Sequence, residues 1–248
     1  MKKILLLFII ILLAIYSFFI EPDMLTVKHY KINDSALKGI KIVCASDFHI
    51  KPNQAKRLNK VVKMINEQNP VIVLSVGDFV NGHEEDMTMP IDKIVSELKN
   101  VKSKYGFYTV LGNHDWWIDA EGITNALKTS GINVLVNSNI KVNAGGKEIY
   151  IAGVEDKTTK TPEIYKALDG AKNPVILLTH SPDIFPKVPK EVNLTLSGRV
   201  HGGQIRLPLL GAIIVPSKYG DKYSYGLIED DNKKMIVTSG IGTRLCLC

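Results

Sequence analysis

The chain lacks the residue patterns that mark several protein classes. Cysteine occurs three times in 248 residues, so no disulfide framework is implied. Cys44 lies inside the apolar run Ile40 to Ala45 and reads as a buried strand thiol, while Cys246 and Cys248 stand too close together to pair without strain. No Walker-type Gly-rich loop is present, which argues against nucleotide-driven phosphoryl transfer. Ser46 is the serine nearest a cluster of polar residues, yet no Gly-x-Ser-x-Gly surrounds it, so a lone catalytic triad lacks its nucleophile. There is no internal repeat and no low-complexity linker. A large excess of one charge is also missing: 31 basic against 25 acidic residues give a formal net charge of +6, with Lys2 and Lys3 ahead of an apolar leader. Nucleic-acid binders cluster Lys and Arg on one face, so no nucleic acid is expected as a partner.

A long apolar run is present. Ile4 to Ile20 carries no charge, follows Met1-Lys2-Lys3 and precedes Glu21-Pro22-Asp23. As a helix it spans about 25 Å, at the short end of what crosses a bilayer. It is longer than a usual signal-peptide core and no small-x-small cleavage site follows, which favours an uncleaved transmembrane helix. Lys2 and Lys3 hold the N-terminus in the cytoplasm and direct the remainder outward, giving a single-pass protein of the cell membrane. No Cys follows the leader at once, so no lipoprotein attachment site is read there. The expected division is an anchor over 1–21, a juxtamembrane segment over 22–39 and one catalytic domain over 40–248.

The domain opens with alternating elements. Ile40 to Ala45, Val71 to Val76 and Phe107 to Leu111 read as buried strands. Between them, Gln54 to Asn69 places Leu58, Val61, Val62 and Ile65 at helical spacing, and Pro90 opens a helix facing inward through Ile91, Ile94, Val95 and Leu98. The basic residues Lys56, Arg57, Lys60 and Lys63 fall on the outer face of the first helix and read as solvated charge. Strand, helix, strand, helix, strand implies parallel pairing with helices on the faces. Gly122 to Ser130 reads as a further helix and Asn133 to Val136 as a short strand. Lys141 to Val154 forms a hairpin turning at Asn143-Ala144-Gly145-Gly146, and Pro162 to Leu168 a short helix. Val175 to Thr179 and Val192 to Leu196 are strands, and a last hairpin joins Tyr225-Ile228 to Met235-Thr238.

Five of these strands end in polar clusters: Asp47/His49, Asp78, Asn113/His114, His180 and His201. In open α/β sheets the ligand site lies beyond the carboxyl ends of the strands, so these side chains can converge. Leu111-Gly112-Asn113-His114-Asp115 is the central loop: Asn113 offers a carbonyl oxygen, His114 exchanges a proton, and Asp115 can hold that imidazole in one tautomer. Carboxylate, imidazole and amide oxygen together suit manganese, iron(II) or zinc.

The ordered set Asp-x-His, Gly-Asp, Gly-Asn-His-Asp, a lone His and Gly-x-x-His-Gly-Gly-Gln resembles the calcineurin-like metallophosphoesterases, from about Ile40 to Gly242. Tyr219-Gly220, Tyr223-Ser224-Tyr225-Gly226 and Thr238-Ser239-Gly240-Ile241-Gly242 further resemble a membrane-anchored bacterial subgroup related to UDP-2,3-diacylglucosamine pyrophosphatases. The resemblance implies an α/β fold, a four-layer sandwich of two mixed β-sheets flanked by helices. It implies a divalent metal cofactor of one or two ions. Asp47, His49, Asp78 and His201 would hold the first; Asp78, Asn113 and His180 would hold the second, with hydroxide attacking in line. His114, oriented by Asp115, would contact phosphate or protonate the leaving oxygen. The partner is a phosphate-bearing small molecule or a lipid, since an anchor holds the site near the bilayer.

Two departures from the family pattern stand out. Where the family carries Gly-His-Thr-His, this chain has Gly198-Arg199-Val200-His201. A guanidinium has no acceptor and cannot ligate. At about 4.5 Å from a divalent ion it would be repelled by roughly 7 kcal/mol at an effective dielectric of 20. Arg199 therefore turns away to an acidic neighbour, or binds a phosphate oxygen in a one-metal esterase, or marks a catalytically impaired metal- or phosphate-binding domain. The chain also stops at Leu245-Cys246-Leu247-Cys248, where the subgroup continues, which puts one sheet edge in question. Trp116 and Trp117 follow the central loop and can line the mouth of the site against an acyl chain or sugar. His29 and His83 fall outside every motif and are assigned to the surface.

Overall fold

A computed structural model describes residues 24–203, 205–207 and 211–242, with isolated positions 4, 8, 11 and 12. Apart from those isolated positions the anchor read over Ile4 to Ile20 lies outside the described residues, as does the terminal Leu245 to Cys248. Among the described residues no helix is long and apolar enough to cross a membrane.

The first half builds one sheet. Strands β1 (Ile42–Cys44), β2 (Ile72–Ser75), β3 (Phe107–Thr109) and β4 (Ile132–Val134) pair in that order, and every pairing is parallel. The expectation of two mixed sheets is corrected here: each strand returns through a helical connection on the same side, so none reverses. Helices α1 (Ala55–Glu67), α2 (Ile91–Leu98) and α3 (Asn113–Thr129) supply those crossovers. The spacing read from the sequence is the buried face: Leu58, Val61, Val62 and Ile65 on α1, and Ile94, Val95 and Leu98 on α2. They pack on Val73, Phe107, Ile132 and Val134, the outward residues of the sheet.

The second sheet is mixed. Its order is β11 (Gly226–Asp230), β12 (Lys233–Val237), β8 (Leu194–Ser197), β7 (Val175–Leu178), β6 (Lys147–Gly153) and β5 (Ser138–Ala144). The edge hairpins β5–β6 and β11–β12 are antiparallel, while the centre is parallel. The two sheets face each other across Leu74, Val76 and Val110 on one side and Ile149, Ile151, Ile176 and Leu178 on the other. The outer face of the second sheet is covered by α4 (Ile164–Ala167) and the 3-10 turn Pro182–Lys187, through Ile164, Ile184 and Phe185. Helices, sheet, sheet and short helices make the four layers. A separate hairpin of β9 (Ile205–Leu207) and β10 (Gly211–Ile214) follows β8.

One local expectation changes. Asn113-His114-Asp115 is not an open loop but the first turn of α3, N-capped at Gly112. A break at Asp119, with φ −165° and ψ 85°, separates this polar turn from the amphipathic stretch read from Gly122 onward.

Candidate metal centre

The site forms where the strand ends of the two sheets meet. Asp47 and His49 follow β1, Asp78 follows β2, Asn113 follows β3, His180 follows β7 and His201 follows β8. The first two loops are zipped together by backbone hydrogen bonds from Asp47 to Gly77, His49 to Asp78 and Ile50 to Phe79, at 2.9, 3.1 and 3.3 Å. Asp47, His49, Asp78, Arg199 and His201 all hold positive φ, between 42° and 67°. Glycines let the loops close. A Cβ on Gly77 would lie 2.1 Å from the Gly112 nitrogen, and one on Gly112 would lie 2.2 Å from Asp78 Oδ1.

Asp78 stands at the centre. Its Oδ2 is 3.4 Å from His49 Nε2 and 3.2 Å from His180 Nε2. His180 Nε2 is also 3.1 Å from Asn113 Oδ1. His49 Nε2 and His201 Nε2 approach to 3.2 Å, and His201 Nε2 lies 3.9 Å from Asp47 Oδ1. The rings are aimed from behind: Nδ1 of His49 meets the Val80 carbonyl at 3.2 Å and Nδ1 of His180 meets the Val76 carbonyl at 2.7 Å. With Nδ1–H donated to a carbonyl, the neutral ring presents the Nε2 lone pair to the centre. Two ring nitrogens at 3.2 Å need a proton or a cation between them. The donor set therefore fits a divalent metal, and ligand atoms of Asp47, His49 and His201, of His49, Asp78 and His114, and of Asp47, Asp78 and His180 lie within 4.8 Å of one another in each group.

The electrostatics follow from burial and proximity. Burial pushes His49 down to about 3, so its ring is neutral. Burial acts the same way on His180, but the adjacent Asp78 carboxylate outweighs it and lifts that imidazole to about 10. For Asp78 burial works upward, and the charge and hydrogen bond of His180 outweigh it, holding the carboxyl well below the usual range. The metal-free centre is thus a buried Asp78 carboxylate paired with a His180 imidazolium.

Asp115 does not orient the His114 ring. Its carboxylate accepts backbone N–H bonds from Gly112, Asp78, Phe79 and Val80, at 2.9, 2.8, 2.8 and 3.3 Å, and so locks the β2 and β3 loops together. Burial, then the Asp78 charge, raise it to about 7 against those donors. The His114 ring is held instead by the Gly82 carbonyl, 2.7 Å from Nδ1, while its backbone N–H donates to Asp78 Oδ1 at 2.9 Å. The reason is geometric: residues 114 and 115 are adjacent in a helical turn, so their side chains point to different faces.

Arg199 turns to a carbonyl rather than to an acid. Its backbone N–H donates to Asp47 Oδ1 at 2.8 Å, and its Nη1 donates to the Pro216 carbonyl at 3.3 Å. Its Nε is buried and finds no partner among the described residues. Trp116 packs on the helix-side core with Lys160 Nζ 4.6 Å over its ring. Trp117 stands edge-on to His114 at 4.8 Å. His83, assigned to the surface, is exposed but stacks on Trp117 at 4.4 Å and lies 5.5 Å from His114. Nothing in a 34-residue separation signals that stack.

Sequence reading also missed the wall formed by residues 238–242. Thr238 Oγ1 donates to Asp47 Oδ2 at 3.4 Å, and the N–H groups of Ile241 and Gly242 donate to the Asp47 carbonyl at 3.1 and 2.6 Å. A Cβ on Gly240 would lie 2.7 Å from Asp47 Cβ and 3.0 Å from His201 Nδ1, and one on Gly242 would lie 2.6 Å from His49 Cβ. The Gly240-Ile241-Gly242 of that stretch is the one signal for it.

Two packed sheets with carboxylates and imidazoles gathered at their facing strand ends define an α/β domain with the donor set of a metal centre. Residues 40–208 match the model of the calcineurin-like phosphoesterases, and the chain belongs to that family, whose members are phosphoester hydrolases that bind divalent metals. An uncharacterized metallophosphoesterase of Bacillus subtilis, YkuE, is 31% identical over 94% of this chain and 84% of its own. One of Aquifex aeolicus is 32% identical over 95% and 91%. A transmembrane protein with metallophosphoesterase domain of Danio rerio is 30% identical over 84% of this chain and 49% of its own length. A 5'-nucleotidase precursor from Thermus thermophilus shares the fold at a TM-score of 0.52 and 15% identity, covering 82% of this chain and 49% of that one. None of these supports a catalytically inert reading.

Proposed function

We propose that this chain hydrolyses phosphodiester or pyrophosphate bonds of a phosphate-bearing small molecule or lipid, with manganese as the working ion. The observation that carries the reading is Asp78, one carboxylate oxygen set between the Nε2 atoms of His49 and His180. In this reading Asp47, His49, Asp78 and His201 hold one ion, and Asp78, Asn113 and His180 hold another, more weakly because Arg199 replaces a ligand. The ions supply Lewis acidity and a nucleophile at neutral pH. His114, its Nδ1–H given to Gly82, presents Nε2 toward the leaving oxygen as a proton donor once protonated. The partnerless Nε–H of Arg199 is a donor for a phosphate oxygen. Trp117 and His83 form an aromatic wall beside His114 for the leaving group.

The apolar run Ile4 to Ile20 supports an N-terminal membrane anchor with the domain on the outer side. A relative of Danio rerio that is named as a transmembrane protein is in keeping with an anchor. The pyrophosphatase subgroup rests on the resemblance of the Tyr219-Gly220, Tyr223-Ser224-Tyr225-Gly226 and Thr238-Ser239-Gly240-Ile241-Gly242 stretches. The test is hydrolysis of a chromogenic phosphodiester by the full chain titrated with manganese. Activity in the parent, lost in Asp78→Ala and raised in Arg199→His, is the expected result. Manganese-independent turnover, or turnover unchanged in Asp78→Ala, overturns the reading.

A further inference from the structure

Away from the metal centre, the structure has a cavity of about 990 Å³ beneath the segment that precedes β1. That volume is at the top of the range of ligand sites, about 300–1,000 Å³. Its walls are largely apolar and include Leu25, Val43, Ile65, Leu196 and Ile236, drawn from the leading segment, β1, α1, β8 and β12. Four lysines also line it, Lys28, Lys31, Lys38 and Lys41, and all four side chains are exposed. Asp34 is the one acid lining it among the described residues, and its oxygens are committed to the amides of Ala36 and Leu37 and to Asn193. The exposed lysines therefore rim the cavity, and among the described lining residues no free carboxylate stands beside them. Met24, Val27 and Tyr30, on the same segment, are exposed apolar side chains at 55%, 41% and 40%.

We propose that this cavity holds an acyl chain of an anionic membrane phospholipid, with the lysines on its phosphate. Apolar walls with a cationic rim match a lipid that is apolar at one end and anionic at the other. A neutral apolar ligand leaves the four lysines unexplained, and a small anion leaves the apolar walls unexplained. Position agrees, and this step rests on the anchor reading given above. Leu25 lies five positions beyond Ile20, so this part of the cavity wall is at most about 18 Å from the end of the apolar run. The lipid is a ligand here, not the substrate: Gly240 lines the cavity and also abuts Asp47 and His201, so its backbone stands between the cavity and the metal centre.

The test is photolabelling of the full chain in vesicles by phosphatidylglycerol carrying a diazirine on its acyl chain, with the phosphatidylcholine analogue beside it. Label from phosphatidylglycerol is expected on peptides covering 25–45 and 236–241. Lys28→Glu/Lys31→Glu/Lys41→Glu should cut that labelling at least about ten-fold, since each lysine adds to anionic-lipid attraction. Ile236→Trp, which puts an indole into the cavity and narrows it, should lower it as well. Label confined to residues 1–23, equal labelling of 25–45 and 236–241 by both lipids, or labelling unchanged in both variants overturns the site. Manganese-dependent hydrolysis by the same preparations, expected unchanged, reports separately on the phosphoesterase reading and on folding. Flotation with the vesicles reports separately on the anchor.

Discussion

His180 and Asp115 show how single residues set the behaviour of the centre. His180 is lifted to about 10 by Asp78, so below that pH the metal-free ring carries a proton that a ligating ion must displace. Filling that position near pH 7 should release about one proton per ion, and affinity should fall about tenfold for each pH unit lost. Calorimetry in buffers of different ionisation enthalpy measures this, and binding without proton release would contradict it. The same shift acts on folding. A histidine raised above its unfolded value stabilises the metal-free chain fully below about pH 6.5, and that contribution is lost as pH rises through about 10. Asp115 makes a different prediction. Because it accepts four backbone N–H groups, Asp115→Asn should cost about 2–3 kcal/mol of stability, read by urea denaturation, as well as activity. A residue that only oriented His114 would slow turnover and leave stability alone.

The ligand-bearing loops keep a strained backbone. Five non-glycine residues of the centre sit at positive φ, each costing of order 1–3 kcal/mol, and they persist because neighbouring segments hold them. The segment over 238–242 is one such clamp, tied in turn to α1 by Arg57 Nη2 on the Ile241 carbonyl at 2.6 Å. Gly240→Ala should therefore lower metal affinity about 10–100-fold while the fold survives, measured by metal titration and circular dichroism. At this scale the sequence was readable wherever one face is apolar. The 3.6 spacing of α1 and α2, the buried strands and the Gly145-Gly146 hairpin were legible because burial demands those patterns. The first turn of α3 was not, since Asn113-His114-Asp115 faces the centre and carries no apolar period. The β9–β10 hairpin was hidden because Gly202 and Gly203 read as the end of a ligand motif.

Across the whole molecule the centre bridges two sheets. Asp47, His49, Asp78 and Asn113 come from the first sheet, and His180 and His201 from the second. An ion held by both should stabilise the domain as a crosslink does. At a free manganese concentration of 100 times Kd the gain is about 2.7 kcal/mol, which for a chain of this size raises Tm by about 5–10 °C. Differential scanning fluorimetry checks the shift, and Asp78→Ala should abolish it. The order of five polar clusters at strand ends made the convergence legible from sequence, because strand topology alone brings those ends together. The clamp residues Thr238 and Gly240 and the His83–Trp117 stack were not, because each depends on a contact between segments far apart in the chain.

The most direct test is anomalous diffraction from crystals of the chain grown with manganese. The account predicts a peak within coordination distance of Asp47, His49, Asp78 and His201, and a weaker one bridged through Asp78 to Asn113 and His180. A peak elsewhere, or none at these residues under saturating manganese, would contradict the metal centre and with it the hydrolytic reading.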